Sequence, residues 1–202
     1  MPQSSHYTIG TGEGVFEVIA DKQDLDELDR ALGGSEKLVN GVLRNSLNRG
    51  GSRMRTVATQ VASKETGLKS RVVRKKMRLR RATARKLDVG LYLSGRGFPA
   101  IRFGAEQDEV GVVIRKKRRE TLPHAFIATM PSGHTGVFRR RGRKSLPIVE
   151  QYVEGPGAAI RRVSKARYVL DEGAAAFSKR IPHELDRVLD RHARRAARAG
   201  AA

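Results

Sequence analysis

Apolar positions along this chain change their period twice, and each change predicts a different kind of element. His6-Tyr7-Thr8-Ile9 and Val15-Phe16-Glu17-Val18-Ile19 alternate weakly about Gly10-Thr11-Gly12-Glu13-Gly14, which predicts a short hairpin. A helix follows from about Leu25 to Leu32, closed by Gly33-Gly34, with Ser35 placed to cap the next one. Leu38, Val42, Leu43, Leu47, Met54, Val57, Ala58 and Val61 then recur at three- and four-residue steps, tracing one stripe of a long helix. Gly50-Gly51 interrupts that stripe, and the poor helix propensity of glycine predicts a kink or break there. Gly67 suits a C-cap, and Leu68 to Lys76 reads as a further turn or two of helix.

From Met77 the period shortens. Met77–Arg80, Leu87–Leu93, Ala100–Phe103, Val110–Arg115, Ala125–Thr129 and Thr135–Arg139 are short and strand-like, separated by glycine- or charge-rich turns. Five or six mostly antiparallel strands are expected. After Pro156 the helical period returns through Ile160, Val163, Phe177, Ile181, Leu185, Val188, Leu189 and His192. Pro182 fits the first turn of a helix, with Ser178 as its cap. The order helix, helix, sheet, helix predicts an α+β fold, with a long N-terminal helix and C-terminal helices packed on a small, mostly antiparallel sheet.

Charge adds a partner class. The 202 residues carry 41 Lys+Arg against 21 Asp+Glu, a formal net charge of +20, so a polyanion or an acidic protein is the expected neighbour. The charge is uneven. Residues 1–36 hold eight acids (Glu13, Glu17, Asp21, Asp24, Asp26, Glu27, Asp29, Glu36) and only Lys22 and Arg30 as bases, leaving a strongly basic remainder. An acidic segment on a basic body suggests complementarity between subunits, or a flap over its own basic surface. Three basic runs stand out: Lys69 to Arg81 (with Arg78, Arg80 and Arg81), Arg115-Lys116-Lys117-Arg118-Arg119, and Arg139-Arg140-Arg141-Gly142-Arg143-Lys144. In a strand, Arg78 and Arg80 share one face. Contacts from such runs to phosphate are independent of sequence and sensitive to salt. Aromatics are 5% with no Trp, which argues against a single-strand binder built on stacking platforms.

Candidate chemistry is thin. The chain has no cysteine, hence no disulfide, thiolate ligand or thiol nucleophile. Its five histidines lack metal-binding helical spacing. His124 and His134 both flank turn-forming residues and are placed to meet across a hairpin, but no thiolate or carboxylate cluster accompanies them. There is no GxSxG elbow, and the GxGxG turn at Gly10 to Gly14 lacks the strand-then-helix context of a dinucleotide site. No catalytic, metal or cofactor-binding residue is assigned, and the expected protein is not an enzyme. Neither a signal peptide nor a run of apolar residues long enough to span a bilayer is present, so synthesis as a soluble cytoplasmic chain without membrane contact is expected.

Two stretches are more specific. Leu122-Pro123-His124-Ala125-Phe126-Ile127-Ala128-Thr129-Met130-Pro131-Ser132-Gly133-His134-Thr135-Gly136-Val137-Phe138-Arg139-Arg140 is followed by Leu146-Pro147-Ile148-Val149-Glu150-Gln151-Tyr152-Val153-Glu154-Gly155-Pro156-Gly157. Together they resemble the signature of the minor tail protein Z (tail completion protein) family of lambda-like long-tailed phages. Glu65 to Thr83 and Ile101 to Arg119 are similar to the family's flanking segments, and the resemblance runs from about Ser35 to Gly157. It divides the chain into an acidic N-terminal extension (1–34, hairpin plus short helix), a Z-like α+β core (35–157) and a basic C-terminal helical region (158–202).

The resemblance implies a structural virion protein, a tail completion or neck component near the head-proximal end of the tail. It would serve tail assembly, head–tail joining and positioning of the genome end. Implied partners are further copies in a hexameric ring, tail terminator, tail tube or neck proteins, and genomic double-stranded DNA in the lumen, with synthesis in the bacterial host cytoplasm. The charge alone fits an alternative, a sequence-independent nucleic-acid-binding protein of ribosomal or nucleoid type. Pro123, His124, Phe126, Gly133, His134, Val137 and Phe138 are the expected docking hairpin. Arg78, Arg80, Arg81, Arg115, Lys116, Lys117, Arg139, Arg140 and Arg141 are the residues expected to face DNA or an acidic partner.

Overall fold

A computed structural model of the chain describes residues 9–10, 14–19, 22–115, 119–161 and 163–199. The chain divides into two compact units that follow contacts, not consecutive segments: Met1–Ala58, Met77–Tyr92 and Val163–Ala202 form one, Thr59–Lys76 and Leu93–Arg162 the other. The expected α+β class is observed.

In the first unit, strand β1 (Ile9–Gly10) pairs antiparallel with β2 (Gly14–Ile19), with Ile9 opposite Phe16. The other halves of this expected hairpin, His6 to Thr8 and the turn 11–13, lie outside the described residues. Helix α1 (Lys22–Ala31) buries Leu28 and turns its acids Asp26 and Asp29 outward. Gly33 and Gly34 both take positive φ (62° and 74°), and the Gly34 N–H closes on the Asp29 carbonyl at 3.0 Å, a conformation glycine adopts without a Cβ penalty. Strands β3 (Met77–Arg80) and β4 (Asp88–Leu93) complete a sheet of order β1-β2-β4-β3.

Helix α2 (Glu36–Thr66) buries Val42, Leu43, Leu47, Met54, Val57 and Ala58 of the expected stripe; at its two ends Val39 and Ala62 are buried in place of Leu38 and Val61, which are half-buried. It is unbroken at Gly50-Gly51, contrary to the expected kink, because those glycines are where other elements come closest. A Cβ on Gly50 would lie 2.8 Å from the Gly173 carbonyl oxygen, and one on Gly51 would lie 2.3 Å from Val89 Cγ2. Close packing offsets the propensity cost of about 1 kcal/mol per glycine. Asn48 pins the segment after β3: its amide donates to the Ala82 carbonyl (3.1 Å) and its Oδ1 accepts from the Ala82 N–H (3.0 Å).

Helix α5 (Val163–Ala199) runs antiparallel to α2, as the pairs Asn45–Glu184, Gly50–Gly173 and Arg53–Glu172 require. Pro182 lies inside α5, not in a first turn, so Ser178 is a mid-helix residue and starts nothing. Near it sits Glu184, 2% exposed, which accepts from Asn45 Nδ2 (3.0 Å) and Arg180 Nη2 (2.5 Å), with Arg187 at 3.8 Å. Burial pushes this carboxyl up, but the hydrogen bonds from Asn45 and Arg180 and the two guanidinium charges outweigh it, leaving the pKa below its ordinary value. A depressed carboxylate stabilises the fold above its unfolded pKa, and that contribution is lost as pH falls through the lower folded value. Glu184→Gln is therefore expected to cost about 2 kcal/mol at neutral pH. Denaturant midpoints of the two proteins should converge in acid, below the usual carboxylate range; a pH-independent difference would contradict this.

In the second unit, the end of α2 turns at Gly67 (φ 73°), as its C-cap role predicts, and α3 (Ser70–Arg74) follows. Strand β5 (Phe98–Pro99) is succeeded by a 3-10 turn, Ala100–Phe103, where a strand was expected. Ala100 and Phe103 are buried while Arg102 is exposed, a three-residue repeat that three-residue winding satisfies and a pleat does not. Gly104 ends the turn in the left-handed region at φ 60°. The sheet is also divided. Strands β6 (Glu106–Gln107), β7 (Gly111–Arg115) and β8 (Arg119–Pro123) form one antiparallel sheet. Strands β9 (Ala125–Thr129), β10 (Thr135–Arg140) and β11 (Ile148–Glu150) form another, of order β11-β10-β9, and β12 (Tyr152–Val153) pairs with β5. Helix α4 (Pro156–Ile160) opens with Pro156 in its first turn, where a missing N–H costs nothing. Phe98, Phe103, Val112, Ile114, Val137 and Ile160 are buried in this unit.

Candidate docking hairpin

The middle of the two specific stretches, Ala125–Thr129, Thr135–Arg140 and Ile148–Glu150, folds into one three-stranded antiparallel sheet whose register assigns each side chain a face. Phe138 stands opposite both Phe126 on β9 and Glu150 on β11, while Val137 stands opposite Ile127 and Arg139 opposite Ala125 and Val149. Phe126, Phe138, Arg140, Glu150 and Ile148 therefore share one face, and Ile127, Val137, Arg139 and Val149 the other. Phe126 and Ile127 do point to opposite sides.

The tip is a tight reversal. Gly133 takes φ 79°, its N–H donates to the Met130 carbonyl (2.8 Å), and the Met130 N–H donates to the His134 carbonyl (2.8 Å). Pro131, Ser132, Gly133, His134 and Thr135 are all exposed. Behind the tip lies a polar clasp that joins β10 to β11. His134 Nε2 lies 3.0 Å from Glu150 Oε1, and the Tyr152 hydroxyl donates to Glu150 Oε2 at 2.8 Å. The carboxylate accepting that proton holds the Tyr152 phenol above its ordinary pKa. The His134 ring meets Phe138 edge-on, with centroids 6.4 Å apart, and Phe138 lies 6.3 Å from Phe126. Gly136 leaves room for this cluster, since a Cβ there would come within 3.0 Å of both Glu150 Oε1 and the Phe138 ring.

At the other end of the hairpin, His124 adopts a positive φ of 58° and its N–H donates to the Val110 carbonyl at 3.0 Å. Five residue pairs separate it from His134 along the hairpin, so the two histidines do not meet and form no shared metal site. Among the described residues no group of three or more His, Asp or Glu is placed to hold a metal ion. Pro123 ends β8 opposite Gly111; the N–H and carbonyl of Gly111 both turn toward Asp108, so the proline nitrogen faces away from β7 and removes no ladder bond from this edge strand.

The candidate basic residues divide between the two units. In the first, Arg78 and Arg81 are exposed, but Arg80 makes a two-pronged bond to Asp88 (2.7 and 3.1 Å) and lies 6.0 Å over the Tyr92 ring. Hydrogen bonding to Asp88 pushes its guanidinium pKa up, so Arg80 clamps β3 to β4. In the second unit Arg115 pairs with Glu106 across β6 and β7, while Lys116 and Lys117 lie outside the described residues. Arg139 and Arg141 are exposed; Arg140 donates to the Ser145 carbonyl (2.8 Å) and stacks 5.5 Å over Phe126. Leu146, Val149 and Tyr152 are 69%, 47% and 59% exposed beside these arginines. Glu150 and Tyr152, which hold the tip in shape, were not singled out from sequence. The available signal was their place in the stretch after Leu146, since strand alternation puts Ile148 and Glu150 on one face.

No helix among the described residues is long and apolar enough to cross a membrane. No curated protein and no solved structure matches the chain. The sequence profile described as prophage minor tail protein Z (GPZ) matches residues 23–198, reaching beyond the stretch 35–157 to take in nearly all of α1 and of α5. With most of the chain matched, and with the hairpin that carries the resemblance folded as one clasped sheet, the protein belongs to the prophage minor tail protein Z family and is a component of a phage tail.

Proposed function

We propose that the protein is a non-enzymatic tail completion component of the virion, acting near the head-proximal end of the tail. There it assembles as a ring, hexameric by the family resemblance, against tail terminator, tube or neck proteins, and supports tail assembly, head–tail joining and positioning of the genome end. Synthesis in the host cytoplasm precedes assembly. The observation that carries this reading is the clasped hairpin. Its exposed tip and Tyr152 are held by the His134–Glu150–Tyr152 bonds, and Leu146 and Val149 are exposed on the same segment, which suits a preformed docking surface. Exposed Arg139 and Arg141 favour an acidic neighbour, either a partner protein or double-stranded DNA passing the ring.

Imaging of intact virions tests the proposal. Density for this chain is expected between tail tube and head, and particles lacking it should carry tails that fail to yield infectious phage. A chain absent from virions would refute the reading. The nucleic-acid-binding alternative rests on charge alone, and predicts that the isolated chain binds any duplex with an affinity falling steeply as salt rises.

A further inference from the structure

The second unit carries a protrusion and a recess of opposite character at the two ends of one strand. The protrusion is the turn between β6 and β7. Asp108 Oδ1 accepts from the N–H groups of Val110 (3.0 Å) and Gly111 (2.8 Å), the Asp108 N–H donates to the Gly111 carbonyl (2.8 Å), and the Val110 carbonyl accepts from His124. The turn is thereby fixed, with Glu109 and Val110 turned outward and Val110 64% exposed. The loop is thus fixed in shape and presents one apolar side chain, Val110, next to an acidic one, Glu109.

The recess, of about 530 Å³, opens at the other end of β7. Leu68, Val72 and Phe103 contribute its apolar lining, and Lys69, Arg102 and Arg115 its cationic one. Arg115 already pairs with Glu106. Lys69 and Arg102 have no acidic side chain within ion-pair distance among the described residues. An apolar hollow with two uncompensated cations matches a ligand that is apolar at its tip and acidic beside it, and the Asp108-Glu109-Val110 turn has that composition. Gly111 and Arg115 are four residues apart in an extended strand, about 13 Å, so the turn cannot reach the recess of its own chain.

We infer that the Asp108–Val110 turn of one copy seats in the Leu68–Val72–Phe103 recess of the next, with Glu109 against Lys69 and Arg102. Such a contact is heterologous: it uses two different patches, so it propagates from copy to copy and closes into a ring when the rotation per copy allows. The inference deepens the ring reading above and names its surfaces. The preformed turn and recess need little ordering on contact, and the charge pairing sets the register.

Sedimentation velocity on the full chain at low salt tests it. Glu109→Lys and Arg102→Glu, each made alone, are expected to weaken self-association about tenfold or more, and the double variant, or a mixture of the two single variants, should restore it. Because the chain has no cysteine, a Val110→Cys copy mixed with a Val72→Cys copy reports the same contact independently, as a disulfide-linked heterodimer in excess over either self-linked product. Arg102→Glu associating as tightly as the parent would overturn the inference. So would a double variant that stays dissociated with a native circular dichroism spectrum, or cysteine pairs that link no better than chance. Loss of duplex DNA binding in Arg102→Glu with self-association unchanged would assign the recess to nucleic acid, and also overturn it. Imaging reads where the chain sits in the virion and sedimentation reads which surfaces join copies, so either reading can fail while the other stands.

Discussion

Replacing Gly50 by leucine is expected to destabilise the first unit by about 3 kcal/mol, although the same change in an open helix would add stability. Gly50 is buried in α2 where α5 crosses closest. The first atom of any side chain there meets the Gly173 carbonyl oxygen at 2.8 Å and Phe177 Cβ at 3.1 Å. The carbonyl belongs to the helix backbone, so relief requires α5 itself to move. Phe177, fully buried, would lose packing as it did. The gain in helix propensity, about 1 kcal/mol, is too small to offset overpacking of this kind. Gly41 is the internal control, because a Cβ added there meets nothing within 4 Å. Gly41→Ala is expected to raise stability by about 0.5–1 kcal/mol. Urea midpoints measure both, and a Gly50→Leu midpoint no lower than the parent's would show that α2 and α5 are not seated on this glycine.

Gly111→Ala should cost about 2–3 kcal/mol and cripple the second unit locally. A Cβ at this position would lie 2.2 Å from the Leu122 carbonyl oxygen and 3.0 Å from the His124 N. Both are backbone atoms of the β8–β9 corner, where His124 already sits at positive φ. No rotamer relieves such a clash, so β7 and β8 must separate at the Gly111–Pro123 pair. That end of the strand also carries the Asp108–Val110 turn. Amide hydrogen exchange is therefore expected to quicken along 108–115 and 119–124, while α2 and α5 stay protected. Uniform loss of protection over the whole chain would mean that the two units are not separately stable.

How much of this was legible beforehand depended on whether a residue's neighbours are close in sequence. The stripe from Val42 to Ala58 and the closures at Gly33-Gly34 and Gly67 follow from local chemistry, and they lie where the pattern puts them. The strand Arg119–Pro123 carries almost no apolar signal in the sequence; four of its five residues are exposed, and pairing with β7 alone makes it a strand. Ala100–Phe103 reads as a strand in the sequence because four residues do not separate a two-residue period from a three-residue one. Pro182 suggests a helix start, whereas the surrounding helix carries on through it. The register that brings Glu150 opposite Phe138, within reach of His134 and Tyr152, depends on pairing across the 141–147 connection. No local pattern states that pairing.

By itself the sequence determined the helical and extended regions, the basic charge with its acidic first segment, and the family, because each depends on residue types at short spacing. Only the tertiary structure decided what the glycines are for. Propensity predicts that Gly50-Gly51 breaks a helix, and contact with Gly173 and Val89 makes the same pair the seam of the first unit. Tertiary structure also sorted the arginines. Asp88 turns Arg80 into a clamp between two strands, and Phe126 turns Arg140 into a lid over an aromatic ring. Arg139 and Arg141 are left facing solvent. Side chains identical in sequence differ in role because a charge is worth little in water and much beside a partially buried partner, and chain folding alone determines which partner is near.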